Sequence, residues 1–138
     1  MALSFRRGIA ADFDALVILD SWGQRHQAIR DWLRDDAIVV AESGGRVVAF
    51  GVMRPIFFLE PFVELVMVDQ AHRRRGIARA LLAHFDTQHN RPKLWISTNR
   101  SNTPMQGLLA SEGFTYAGEV EGLDEGDPEL FYYRLRSS

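Results

Sequence analysis

The chain has no cysteine. That excludes a disulfide, a thiolate zinc site and a cysteine nucleophile, and it fits a reducing compartment. Long apolar runs are missing too. The longest, residues 47–53, falls far short of the roughly 20 residues that a membrane-spanning helix needs. Residues 1–8 lack the apolar core of a signal peptide, so a cytoplasmic protein with no membrane partner is expected. Neither sign of charge dominates: 16 Lys and Arg face 18 Asp and Glu, a net charge of −2, which implies no general affinity for nucleic acid. There is no Gly-x-Ser-x-Gly nucleophile elbow, and no Gly-Lys-Ser/Thr of the kind that nucleotide-binding loops carry. No internal repeat, low-complexity segment or long linker interrupts the 138 residues, and no metal site is expected.

With 46% hydrophobic residues, a chain of this length suits a single domain over residues 1–138. Its most informative stretch is ELVMVDQAHRRRGIARALL, residues 64–82. An apolar run (Leu65, Val66, Met67, Val68) passes through a polar turn into an amphipathic pattern after Gly76, which reads as strand, basic turn and helix. Arg73, Arg74 and Arg75 stand in the turn, followed by Gly76, Ile77, Ala78 and Arg79. The first N–H groups of a helix lack intrahelical partners. Small residues there let a phosphate approach them, and the helix dipole favours its charge.

The rest of the chain predicts an α/β fold. Residues 4–8 read as a first strand, and Asp12 as the N-cap of a helix carrying Phe13, Leu16 and Val17 on one face. Residues 24–33 read as a second helix burying Ile29, Trp32 and Leu33, with Trp22 and Trp32 expected in the core and Arg25, Arg30, Asp31 and Arg34 in water. Residues 37–41 and 47–53 form a hairpin through Gly44 and Gly45. Residues 56–62, aromatic and bracketed by Pro55 and Pro61, suit either a continuation of the sheet or a loop, with Phe57, Phe58 and Phe62 expected in the core or one of their rings in a binding pocket or a dimer interface. A strand over residues 62–68, a helix ending near His89 and Asn90, and a strand over residues 93–98 make a crossover that implies parallel pairing. Ile77, Leu81 and Phe85 form the buried stripe of that helix. Thr103-Pro104-Met105-Gln106 resembles a capping box opening a helix that runs to Glu112 and stops at Gly113. Strands over residues 114–119 and 130–135 follow, with an acidic loop between them.

Arg73-Arg74-Arg75-Gly76-Ile77-Ala78 resembles the Gln/Arg-x-x-Gly-x-Gly/Ala pyrophosphate loop of the GNAT superfamily of N-acetyltransferases. Asp69-Gln70-Ala71-His72 fills the family's Asp-Pro-Glu-Tyr slot. Asn102 precedes Gly113-Phe114 at the separation of its second motif. The resemblance covers residues 4–135 and implies a mixed sheet of about seven strands flanked by about four helices. It also implies an acetyl-CoA-dependent enzyme that moves an acetyl group to a primary amine by direct attack. On that resemblance the cofactor is held by the backbone of Val66, Met67 and Val68, by the loop from Arg73 to Arg79, and by Asn102.

An alkylamine with a pKa of about 10.4 must lose a proton before it attacks, and Glu64, on the strand assigned to the thioester, is the expected base. Glu60, Asp124 and Glu125 are reserves. Counting seven residues from Asn102, where many relatives place a general-acid tyrosine, gives Leu109. Tyr116, Tyr132, Tyr133 or water would then have to serve. Ser97 stands where relatives that acetylate protein N-termini carry a glutamate. Six acids and no base lie between Glu119 and Glu129, so Asp124 and Glu125 are expected to attract a cationic acceptor, a small amine or a peptide. A homodimer is a further expectation. The alternative reading is a non-catalytic acyl-CoA-binding sensor of the same fold, suggested by Leu109.

Overall fold

The structure, a computed structural model, describes residues 2–136. Among them run seven strands and four α-helices: β1 (Ser4–Arg7), α1 (Phe13–Leu19), α2 (His26–Arg34), β2 (Ile38–Ser43), β3 (Arg46–Phe57), β4 (Glu60–Val68), α3 (Ile77–Asp86), β5 (Lys93–Asn99), α4 (Thr103–Ser111), β6 (Thr115–Val120) and β7 (Glu129–Leu135). The strands form a mixed sheet in the order β1-β2-β3-β4-β5-β7-β6. β4 and β5 pair in parallel through Phe62–Trp95 and Val63–Ile96, as a helical crossover requires. The chain gathers into two compact units: the N-terminal residues to Met53 with Leu65–Phe85, and Arg54–Glu64 with the residues from Asp86 onward.

In the first unit one apolar cluster joins Leu16 of α1, Ile29 and Trp32 of α2, Phe50 and Val52 of β3, and Met67 of β4. Another joins Ala41, Val48 and Ala49 to Ile77 and Leu81 of α3, with Val66 and Val68 packed against it. Gly51 belongs to this packing, because a Cβ there would stand 2.7 Å from the ring of Phe85. Asp12 occupies the position before α1, but its side chain does not cap that helix. It accepts the Ile9 N–H at 2.8 Å and takes both terminal nitrogens of Arg6, at 2.9 and 2.8 Å. Trp32 is buried as expected. Trp22 is 59% exposed, with the Arg25 guanidinium 4.9 Å from its ring centre, so it is not a core residue. Its position follows from Asp20, a 5%-exposed acid that accepts the N–H groups of Trp22 and Arg25 (both 3.2 Å) and the Arg25 guanidinium. Arg25 is therefore turned onto the protein, not into water.

The second unit is built on β5 and β7, in register from Lys93–Leu135 to Asn99–Glu129. Leu94, Ile96, Thr98, Leu130 and Tyr132 are buried, while Trp95, Ser97, Phe131 and Tyr133 are half-buried and point to the opposite face. Residues 56–62 prove to be a hairpin. β3 runs to Phe57, β4 begins at Glu60, and both turn residues, Phe58 and Leu59, have positive φ (53° and 69°). Phe58, at the tip, is 86% exposed and outside the core. The helix expected to reach His89 ends at Asp86, whose carbonyl accepts Arg136 Nε (3.2 Å) and whose carboxylate accepts Arg134 (2.7 Å). α4 is capped by Asn102, one residue before the expected Thr103: its Oδ1 accepts the Met105 N–H at 3.2 Å.

Candidate functional site

Asp69 fixes the turn that follows β4. Its N–H donates to the Val48 carbonyl (2.8 Å), its carbonyl accepts the His72 N–H (2.8 Å), and its carboxylate meets His72 Nδ1 at 2.7 Å. The last contact holds the Asp69 carboxyl below the usual carboxylate range. Arg73 then donates Nε to the Val68 carbonyl at 3.3 Å. Arg74 and Gly76 both take left-handed backbone, at φ 64° and 80°. Around Gly76 a Cβ would meet nothing within 4 Å, so the need for glycine is conformational on the protein side and the space above it is open. α3 starts at Ile77, and the Ala80 N–H closes the first turn on the Gly76 carbonyl at 3.0 Å. The N–H groups of Ile77 and Ala78 thus lie in the turn where a helix supplies no acceptor. Arg73, Arg74, Arg75 and Arg79 are exposed around this turn, whereas the Ile77 side chain is buried. Val66, Met67 and Val68 all commit side chains to packing, and Met67 Sδ also accepts the Ser21 hydroxyl at 3.7 Å. A ligand on this stretch would meet backbone.

Glu64, in the second unit, is held by a partner that the sequence reading missed. Arg54 donates Nε to Oε2 and Nη2 to Oε1 (2.5 and 2.8 Å), with side chains 30% and 16% exposed. Both carboxylate oxygens are fixed in one orientation by this two-pronged contact. The signal for Arg54 was its position across the hairpin, which could not be used while residues 56–62 stood open between strand and loop. Glu60, one of the reserve acids, pairs with Arg91 at 2.7 Å, a contact that lowers its pKa.

The structure sorts the three tyrosines. Tyr116 donates to Glu119 at 3.0 Å, which raises its pKa, and Tyr132 lies on the buried face of β7. Tyr133 lies on the half-buried face with Trp95, their ring centres 5.2 Å apart. Leu109 is completely buried on α4, so a packing side chain fills that position. The Asn102 side chain is engaged in capping. The acidic loop is tied to the chain beside it: Asp124 accepts Asn99 Nδ2 (2.8 Å), Asp127 accepts the Ser101 hydroxyl (2.6 Å), and Glu119 accepts Arg100 (2.7 Å). Glu125 is exposed. A hollow of about 550 Å³ is lined by Thr87, Gln88, His89, Asn90 and Arg136, none of them an expected site residue. Among the described residues, no group of three His, Asp or Glu is placed to hold a metal ion, and no helix is long and apolar enough to cross a membrane.

A parallel β4-β5 crossover inside an otherwise antiparallel sheet, with a glycine-opened basic turn at the head of its helix, defines an acyltransferase fold of the GNAT class. The chain belongs to the acetyltransferase (GNAT) family, whose sequence profile matches residues 7–114. Among solved structures it is similar to an acetyltransferase of the GNAT family from Bacillus cereus, at 29% identity over 100% of both chains with a TM-score of 0.92. A ribosomal-protein-alanine N-acetyltransferase from Brucella melitensis shares its fold, at 23% identity over 96% of this chain and 99% of that one, TM-score 0.73. So does an N-acetyltransferase from Staphylococcus aureus, at 19% identity over 99% and 100%, TM-score 0.76. Among curated proteins, none matches the chain.

Proposed function

We propose that this protein is an acetyl-CoA-dependent N-acetyltransferase that acetylates a primary amine by direct attack. The observation that carries the reading is the turn at Gly76. In a chain of this family it combines left-handed backbone, open space above the glycine and a helix N-terminus among four exposed arginines. Those features suit the pyrophosphate of CoA. On this reading Arg73, Arg74, Arg75 and Arg79 supply positive charge, the backbone of residues 76–78 donates N–H groups, and the backbone of Val66, Met67 and Val68 lies along the pantetheine and acetyl end. Asn102 contributes by setting the start of α4. When bound, acetyl-CoA supplies an acetyl group activated as a thioester.

The chain's own part is proton handling. Glu64, oriented by Arg54, accepts the proton that the attacking amine must lose, directly or through a water molecule. Arg54 also helps the amine itself, since a nearby guanidinium disfavours an ammonium and so favours the neutral nucleophile. Asp124 and Glu125 would draw a cationic acceptor toward the second unit, Asp124 with part of its capacity already given to Asn99. The Brucella protein of the same fold is a ribosomal-protein-alanine N-acetyltransferase. Ser97 instead favours a small amine over a protein N-terminus as acceptor here. One observation favours the sensor reading: Leu109, fully buried, fills the general-acid position.

Glu64→Gln tests the assignment. Turnover should fall roughly 10²-fold or more with CoA affinity nearly intact, as is typical for loss of a general base. Equal losses of rate and of CoA binding would move the role to another group.

A further inference from the structure

One face of the second unit carries a continuous row of aromatic rings. Phe57 stands with Phe62 (ring centres 5.3 Å apart), Trp95 (5.2 Å) and Phe131 (5.5 Å), and Trp95 continues to Tyr133 (5.2 Å). Rings in a closed core are buried, and on the other face of the same strands Leu94, Ile96, Leu130 and Tyr132 are at most 8% exposed. Phe57, Phe62, Trp95, Phe131 and Tyr133 all remain partly exposed. At one end Lys93 Nζ stands 4.4 Å from the Tyr133 ring centre, and a hollow of about 260 Å³ opens among Glu60, Pro92, Lys93 and Trp95.

Phe62 and Glu64 are two residues apart on β4 with the buried Val63 between them, so their side chains leave the same face of the strand. A molecule that presents its amine to the Glu64 carboxylate therefore has the Phe62 ring beside it, and beyond that ring the rest of the row. We infer that the aromatic row is the acceptor platform and that the acceptor is a primary amine carrying an aromatic or flat apolar group. This rests on the acetyltransferase reading for the role of Glu64. Stacked rings recognise a flat apolar group through buried area and through favoured offset and edge-to-face contacts. A short aliphatic amine would reach Glu64 but leave the row uncovered.

The test compares 2-phenylethylamine with ethylamine at saturating acetyl-CoA, and titrates 2-phenylethylamine calorimetrically into the CoA-loaded protein, in the wild type and in Phe62→Leu and Phe131→Leu. Leucine keeps an apolar side chain at each position, and thermal melts confirm that the variants fold. The inference predicts a kcat/KM preference of about tenfold or more for the aromatic amine, the scale expected from covering one ring, and a drop of that preference toward unity in both variants. Acetylation of both amines without preference would overturn the inference and leave the acetyltransferase reading intact. If neither amine is acetylated, calorimetric binding of 2-phenylethylamine that weakens in both variants would uphold the platform and sink the turnover. Absence of such binding would overturn the platform. A wild-type dimer that Phe62→Leu dissociates, with no aromatic preference, would assign the row to a second copy of the chain and likewise overturn the inference.

Discussion

Glu64 owes its orientation to one residue ten positions before it. A carboxylate that rotates freely spends little time aimed at an incoming amine, and misplacement by a fraction of an ångström costs rate steeply. Arg54→Gln removes the positive charge and the two-pronged contact, leaving a shorter neutral side chain that can offer Glu64 at most one donor. We expect kcat to fall roughly tenfold or more while calorimetric CoA affinity stays unchanged, and a variant with wild-type kcat would show that Glu64 needs no such partner. Asp12 illustrates a purely structural carboxylate. The hydrogen-bonded Arg6 guanidinium lowers its pKa, with a smaller contribution from the Ile9 N–H, against the cost of burial. A depressed folded-state pKa means that the stabilisation is complete above the unfolded value of about 3.8–3.9 and is lost as pH falls through the folded value. Asp12→Asn should therefore destabilise the protein by about 1–3 kcal/mol at pH 7. In urea titrations that deficit against the wild type should shrink as the pH falls below about 4. A deficit independent of pH would mean that the charge contributes nothing.

At the level of elements, the sequence was most legible where two signals coincided. An apolar run, a basic turn with a glycine and a helical stripe of Ile77, Leu81 and Phe85 specify β4, the turn and α3, because each signal depends on local backbone requirements. Legibility failed where a distant partner decides. The end of α3 is set by Arg134 of β7 and by Arg136 just after that strand, some fifty residues away, which take up groups of Asp86. Trp22 reads as core by composition but is fixed on the surface by the buried Asp20. Pro55 and Pro61 obscured the alternation across residues 56–62, and that hid both the hairpin and the Arg54–Glu64 pair within it. Gly51 is a packing glycine that no turn signal reveals. Gly51→Ala should cost about 1–3 kcal/mol by driving a methyl group into Phe85 under α3, measurable as a lower urea midpoint with an unchanged m-value. An unaltered midpoint would mean that the ring has room to yield. Gly76→Asp adds a strained φ and a negative charge at the helix N-terminus without a clash inside the protein. CoA binding should be lost calorimetrically while the protein still folds, its thermal midpoint lowered by the several degrees that one strained residue costs, and retained affinity would move the pyrophosphate elsewhere.

For the molecule as a whole, family and fold were readable from two short motifs, because a left-handed turn opening directly into a helix constrains residue types over a few positions. The acceptor was not readable, since the aromatic row assembles from β3, β4, β5 and β7 and has no sequence spacing of its own. The fully buried Leu109 leaves turnover as the point to establish first. The most direct measurement is amine-dependent release of CoA thiol from acetyl-CoA by the wild-type protein, read across a panel of primary amines with the acetylated product identified by mass. The account predicts thiol release that rises with amine concentration and matches product one for one. Tight CoA binding with no amine-dependent thiol release from any member of the panel would contradict it.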